Sequence, residues 1–431
     1  MWSLLASLRD RAAPSEPRLP LDILYLVGQH AVEAVDPQGS KAYTSLARVS
    51  ADWRLLVQRR RWRTLVLGGE PDLPSQLKAL LRDPALGQRI QELVLERADQ
   101  RGGPELQAQL FSFVLPSTRL AKLSADLQLK TGPLVLRALQ DPLGPARNLV
   151  CLDLDCGAQT SRLALPELLE AVAALAHLEE LSICLRPVCF DSSATSSASP
   201  PCSPRRLRRL DLRFFALDSP PPPYVSPAHQ LFLTLFPAYF DLSSIPTLHL
   251  HLPHLSPPYS DLLPLFLSLV GLHLAVSAKP DTFLPALLPT LASLSSLRTL
   301  TLQAATPDSL PPPPLALHTP LSAVLRALPP ALEHVFLDVT FSVEALEEAD
   351  VRAALRSRLC EGSALGQVDL FVFGRMREAA GAWPVTLVRG EVDGRRAWFQ
   401  MRPPDPTPHV FLVALRAEDV EQARATGHID F

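Results

Sequence analysis

One short pattern recurs along most of this chain, and its spacing constrains the fold more than any other feature. In "LRTLTL", Leu297 to Leu302, apolar side chains stand at positions one, four and six. The pattern returns in hexamers starting at Trp62, Ile90, Leu149, Leu178, Leu207, Ile245 and Leu269, and more loosely at Leu120, Leu332 and Leu365. From Trp62 onward the intervals are 28, 30, 29, 29 and 29 residues, then 38, 24, 28, 35 and 33. A nearly constant period of this length is the mark of stacked supersecondary units, each too small to bury its own apolar face.

The second half of each hexamer alternates as a strand does: Leu248 and Leu250 point one way, His249 and His251 the other. Between hexamers lie stretches with helical apolar spacing, such as 165–178 ("LPELLEAVAALAHL") and 319–332 ("TPLSAVLRALPPAL"). A strand and a helix per unit, stacked, would bury a continuous leucine core. Proline, at 44 of 431 positions, is read as ending helices and populating loops, so the elements should be short. The stretch 187–206 replaces one unit's helix, and 219–227 accounts for the 38-residue interval.

Period and hexamer together, over residues 62–373, resemble the leucine-rich repeat. The resemblance implies an α/β solenoid whose strands line a concave recognition face. The asparagine or cysteine that this family often places after the hexamer is replaced here by Glu70, Ala98, Gly157, Arg186 and Ala305. Residues 374–431 break the pattern. "WPVTLVRGEVDGRRAWFQM" reads as two strands around Asp393-Gly394, followed by a further strand ("HVFLVAL") and a short helix, and is taken as a hairpin cap on the last repeat.

The N-terminal block is different again. "LPLDILYLV", residues 19–27, is apolar on every side of a helix: Leu21, Ile23, Leu24, Tyr25, Leu26 and Val27. Further on, Leu46, Val49, Trp53, Leu56 and Val57 fall at helical spacing. One helix cannot turn all its side chains toward one neighbour, and the remainder would form an exposed apolar patch of the kind that marks an interface. Residues 18–65 resemble an F-box in Leu19, Pro20, Asp22, Ile23 and Leu24, in Val49, Ser50 and Trp53, and in a closing Trp62 and Leu65. The connector "AVDPQGSKAY" is longer than usual, and Ser50 stands where the family often has Cys.

The F-box resemblance implies docking on a Skp-type adaptor, and through it on a cullin scaffold and a ubiquitin-conjugating enzyme. It assigns that contact to Leu19, Pro20, Ile23, Leu24, Leu26, Val27, Leu46 and Val49. The repeats would then recruit an unknown substrate protein, and the chain would be a non-catalytic adaptor of a ubiquitin ligase. The rival reading is an interaction scaffold whose N-terminal helices only cap the first repeat.

The outward positions of the hexamers are the expected substrate face: Asp153, Asp155, Ser182, Asp211, Arg213, His249, His251, His273, Thr301, Gln303, Phe336 and Asp338. A zinc site at the three histidines is the rival reading there, since imidazole is a common ligand. No metal or other cofactor is expected. The sequence carries no phosphate-binding glycine loop, HExxH or GxSxG, so no catalytic residues are assigned. Cys151 and Cys156 bracket a strand and so face opposite sides; they and Cys184 and Cys189 read as structural. Pro221, Pro222 and Tyr224 fit the short proline-tyrosine motif bound by WW domains, and "CSPRR" (202–206) fits a proline-directed phosphorylation site.

A net charge of −3 and a pI near 6.4 offer no electrostatic attraction for nucleic acid or an anionic membrane. The longest apolar run, 262–278, is interrupted by Pro264 and is short of the roughly 20 residues a spanning helix needs. Six cysteines are too sparse for a disulfide scaffold, and "MWSLLASLRDRAAP" lacks the basic start of a secretory signal. The expectation is a soluble intracellular protein, cytoplasmic or nuclear.

Overall fold

The computed structural model describes residue 57, residues 62–67 and, with short gaps, 80–96, 111–127, 131–156, 165–185, 204–215, 227–304, 321–359, 363–402 and 405–413. The architecture is α/β, built on one fourteen-stranded sheet whose spatial order is the order of the sequence. Its first eleven strands are β1 (Thr64–Leu67), β2 (Glu92–Leu95), β3 (Lys122–Asp126), β4 (Cys151–Cys156), β5 (Glu180–Leu185), β6 (Arg209–Phe214), β7 (Thr247–Leu252), β8 (Gly271–Val276), β9 (Thr299–Ala304), β10 (His334–Ser342) and β11 (Gln367–Met376). All run parallel, and each grows out of one of the eleven hexamers.

The register places hexamer upon hexamer. Leu152, Leu181, Leu210, Leu248, Leu272 and Leu300 form one inward row, and Leu154, Ile183, Leu212, Leu250, Leu274 and Leu302 another. All of these are buried, in one cluster that runs from Leu65 to Leu412. A main-chain signature repeats with the strands. The carbonyl before most of these strands accepts two successive amides of the next unit, as Val150 does from Glu179 (2.9 Å) and Glu180 (3.0 Å), and Val270 from Arg298 (2.8 Å) and Thr299 (3.0 Å).

Helices occupy several of the crossovers: α1 (Thr131–Gln140), α2 (Leu165–Ala173), α3 (Pro227–Tyr239), α4 (Pro280–Ser293), α5 (Leu321–Ala327) and α6 (Ala349–Ser357). In α2 the buried Leu165, Leu168, Leu169 and Val172 make the apolar stripe, with Glu167 and Glu170 outside. The 38-residue interval holds α3, whose Phe232 and Phe236 stack at 4.8 Å and whose last turn sets Phe236 against Phe240 at 4.4 Å. Phe214 of β6 meets Phe232 edge-on at 5.7 Å and Tyr259 at 5.3 Å. No helix among the described residues is long and apolar enough to cross a membrane. The apolar run 262–278 divides into a short 3-10 turn (Leu263–Leu265) and β8.

Two expectations need correction. The helical stretches are shorter than their apolar spacing: α2 stops at Ala173, and α5 at Ala327, two residues before Pro329-Pro330, which cannot continue a helix. Conversely, prolines do not always end helices here, since Pro237 lies inside α3 and Pro285 and Pro289 inside α4. Pro285 and Pro289 sit on the exposed side, so carbonyls that lose an amide partner meet water instead. The expected C-terminal hairpin is joined to the last unit through the sheet itself, and the short helix expected after it lies outside the described residues. β12 (Ala379–Val392), β13 (Arg395–Arg402) and β14 (Asp405–Val413) continue the same sheet, antiparallel, from the far edge of β11. β11 itself runs across the expected boundary at residue 373. The hairpin turn is the expected one: Asp393 and Gly394 both have positive φ, 49° and 70°.

Candidate outward face of the sheet

Alternate residues of the parallel strands turn their side chains away from the core, and among the described residues no helix packs over them. This face divides into three neighbourhoods.

The first is a charge network on β3 to β6. Arg213 donates from Nη2 to Asp153 Oδ1 (3.0 Å) and Ser182 Oγ (2.6 Å), and its Nε lies 3.4 Å from Asp211 Oδ1. Ser124 Oγ donates to Asp153 Oδ2 at 3.2 Å. One guanidinium thereby ties three strands together. The Asp155 side chain flanks the network in register with Cys184 and Arg213.

The second neighbourhood is an imidazole cluster on β7 and β8. His249 and His273 occupy the same register position, and their rings stack at 5.2 Å with planes 27° apart. His251 leans on the Phe215 ring at 5.1 Å, with Nε2 3.3 Å from Ser277 Oγ. Arg209 Nη2 approaches His249 Nδ1 at 3.3 Å. Because a guanidinium only donates, this contact makes Nδ1 the acceptor and leaves the ring proton on Nε2. Burial is the main reason that all three imidazoles stay neutral to a lower pH than usual; Arg209 adds to this at His249 and Arg213 at His251, while Asp211 opposes it. Ala275 stands in register between His251 and Gln303. Its short side chain opens a pocket of about 230 Å³, lined by Asp211, Arg213, the three histidines, Leu250, Ala275 and Gln303.

The third neighbourhood lies where the parallel strands give way to antiparallel ones. Asp369 accepts from Gln367 Nε2 (2.8 Å) and Thr386 Oγ1 (2.6 Å), and its Oδ2 is 2.6 Å from His334 Nε2. Beside it Phe336 and Phe371 meet edge to face at 6.3 Å. Asp338 pairs in register with Gln303 at the near border.

The outward positions named from the sequence therefore share one face, but not one site. Arg213 bonds to Asp153 and Ser182 and forms an ion pair with Asp211. His249, His251, His273 and Gln303 line the pocket, which Asp211 and Arg213 join. Thr301 pairs in register with His273 beside the pocket, and Phe336 and Asp338 stand one strand farther along. Sequence reasoning passed over Arg209 and Asp369, although each lies at an outward position of its hexamer and the alternation marks it. It also passed over Ala275, whose sign is a small residue where neighbouring strands carry larger ones. Among the described residues no group of three or more His, Cys, Asp or Glu side chains is arranged to hold a metal ion. Of the cysteines, Cys151 is half-buried and Cys156 fully buried, on opposite sides of β4. Burial raises the Cys151 thiol pKa, and neighbouring acids such as Glu180 add to this.

The adaptor-contact positions from Leu19 to Val49 lie outside the described residues, as do Pro221, Pro222 and Tyr224 and the Cys202 and Ser203 of "CSPRR". Compared with protein-family models the chain matches none, and a comparison with curated proteins likewise returns no match.

Proposed function

We propose that the chain is an F-box protein with leucine-rich repeats, the non-catalytic substrate-recruiting subunit of a Skp–cullin–F-box ubiquitin ligase. The observation that carries this reading is the coincidence of eleven hexamers with eleven successive parallel strands in sequence order. This coincidence supports a solenoid, with leucines inside and a row of polar side chains left open to a partner. The order of the segments, an F-box-like block ahead of repeats, supplies the rest.

In this reading Leu19, Pro20, Ile23, Leu24, Leu26, Val27, Leu46 and Val49 dock on the adaptor. The face from Asp153 to Asp338 receives the substrate protein. The chain's contribution is to hold the substrate at a fixed distance from the ubiquitin donor, and no bond is made or broken by its own side chains. The work takes place inside the cell, where the cullin scaffold resides. The test is a triple variant, Leu19→Ala, Pro20→Ala and Ile23→Ala, co-expressed with a Skp-type adaptor. Adaptor co-purification should be lost while circular dichroism and the thermal midpoint of the repeats stay unchanged. Retained co-purification would refute the docking role.

One observation favours the alternative of a repeat scaffold with a helical N-terminal cap. Val57, within the F-box-like block, is helical and only 4% exposed, and Trp62 packs against the core cluster. If the whole block serves as a cap, the same triple variant lowers the thermal midpoint, and the unmodified chain captures no adaptor.

A further inference from the structure

The pocket on β6 to β9 has a composition that selects what can enter it. Its one carboxylate, Asp211, is engaged by Arg213, and Arg213 is engaged a second time by Asp153. His273 is hydrogen-bonded to Gln303, and His251 Nε2 lies against Ser277 Oγ at 3.3 Å, so the donors that remain are the Nε2–H of His249 and the amide N–H groups of Gln303. Arg209 stands behind His249 and, among the described residues, forms no ion pair. A cationic guest would compete with Arg213 for Asp211 and meet the Arg209 charge. An anionic guest finds these donors and a cation already in place.

We propose that the pocket receives an anionic side-chain group of the partner protein, a carboxylate or a phosphoryl group, and that its binding loads protons onto the histidines lining it. The proposal rests on the outward face being the partner surface, and it names the chemistry recognised there. The charged groups around the cluster come from every neighbouring strand: Arg209, Asp211 and Arg213 on β6, His249 and His251 on β7, His273 on β8 and Asp338 on β10. Burial above all holds the empty imidazoles neutral, helped by Arg209 at His249 and His273 and by Arg213 at His251; Asp211 at all three, and Asp338 at His273, pull the other way without prevailing. An anion in the pocket adds the missing negative charge, so protons enter with it. By linkage, each proton taken up steepens the affinity by up to about tenfold per pH unit as pH falls.

The test uses the full chain with 15N-labelled histidine and three probes: sulfate, acetate and neutral acetamide, titrated between pH 6 and pH 8, where the charge of each probe is constant. Sulfate stands in for a phosphoryl group and acetate for a carboxylate, so the tighter probe identifies the source. The expected result is saturable change in the ring signals of His249, His251 and His273, with an upward move in their titration and tighter binding at pH 6 than at pH 8. Ala275→Leu, which fills the hollow, should abolish the response. His273→Gln, which keeps a polar side chain, should leave binding weaker and less dependent on pH. The proposal is overturned by unchanged signals, by equal movement of all eleven histidines, by an equal response to acetamide, or by affinity that does not vary with pH. None of these measurements involves the adaptor. A null result beside intact adaptor co-purification removes the pocket and leaves the ligase reading standing; the reverse result does the opposite.

Discussion

Arg358 is the most demanding buried group in the structure. It is 9% exposed and follows α6, yet its guanidinium reaches the end of the preceding helix. Nη2 donates to the carbonyls of Leu325 (2.8 Å), Leu328 (2.5 Å) and Arg326 (3.2 Å), and Nη1 approaches that of Pro329 at 3.4 Å. At the end of α5 the carbonyls of Leu325 and Arg326 lack amides, because Pro329 and Pro330 have none to offer, while that of Pro329 also accepts from the Leu332 amide at 3.2 Å. The positive charge also complements the negative end of the helix. Replacing Arg358 by Met keeps most of the apolar stem and removes every donor. The two shortest bonds, each charge-assisted, are worth about 1.5–3 kcal/mol apiece. Relieving the buried charge returns part of this, leaving a net loss of about 2–4 kcal/mol. Arg358→Lys keeps the charge but not the fork, and should lose about half as much. Urea unfolding gives the global change, and amide hydrogen exchange over α5 and β10 localises it. A Met variant within about 0.5 kcal/mol of the parent, the range of a neutral surface change, would refute the clamp.

Two further effects follow from described geometry. His249, His251, His254 and His273 all have titrations depressed by burial, so the fold prefers their neutral form. Their contribution is complete above the ordinary histidine value of about 6.5 and declines as pH falls below it; the urea midpoint should therefore be lower at pH 5.5 than at pH 7.5, and His273→Gln should narrow that difference. A midpoint that rises on acidification would contradict the burial argument. Gly394 holds φ at +70° in the β12–β13 turn, where a β-branched side chain is strained. Gly394→Val should cost about 1–3 kcal/mol and speed amide exchange in that hairpin, whereas unchanged exchange would mean that the turn can rearrange freely.

The parallel strands were legible because each hexamer encodes its own alternation. Leu248, His249 and Leu250 state which residues face inward without reference to any other part of the chain. The period then orders the strands. Helix ends were less legible, because apolar spacing in 319–332 continues past Ala327 into residues that serve the core without being helical. The prolines of α4 misled for a related reason: whether Pro285 breaks a helix depends on which side meets water, a tertiary fact. The Asp393-Gly394 turn marked a hairpin closing the last repeat, but not that its first strand would pair along the edge of β11. The outward face was read residue by residue, but its division into neighbourhoods depends on cross-strand reach, such as that of Arg213 to Asp153, sixty positions away. The pocket depends on an absence, the side chain that Ala275 lacks, and absence leaves only a faint mark in a sequence.

The reversal of strand direction after β11 has a consequence for how such a chain can change in length. Each parallel strand presents, on its far side, an edge of the same polarity as the one it covered. A unit copied anywhere between β1 and β11 would therefore find a matching neighbour on both sides, and the sheet could lengthen from within. Beyond β14 the same unit would meet a strand running the other way, with hydrogen bonds spaced differently and its crossover reaching the wrong end. β12 to β14 thus act as a terminator of growth: they let the number of units vary inside the array while keeping new ones from being added at its end.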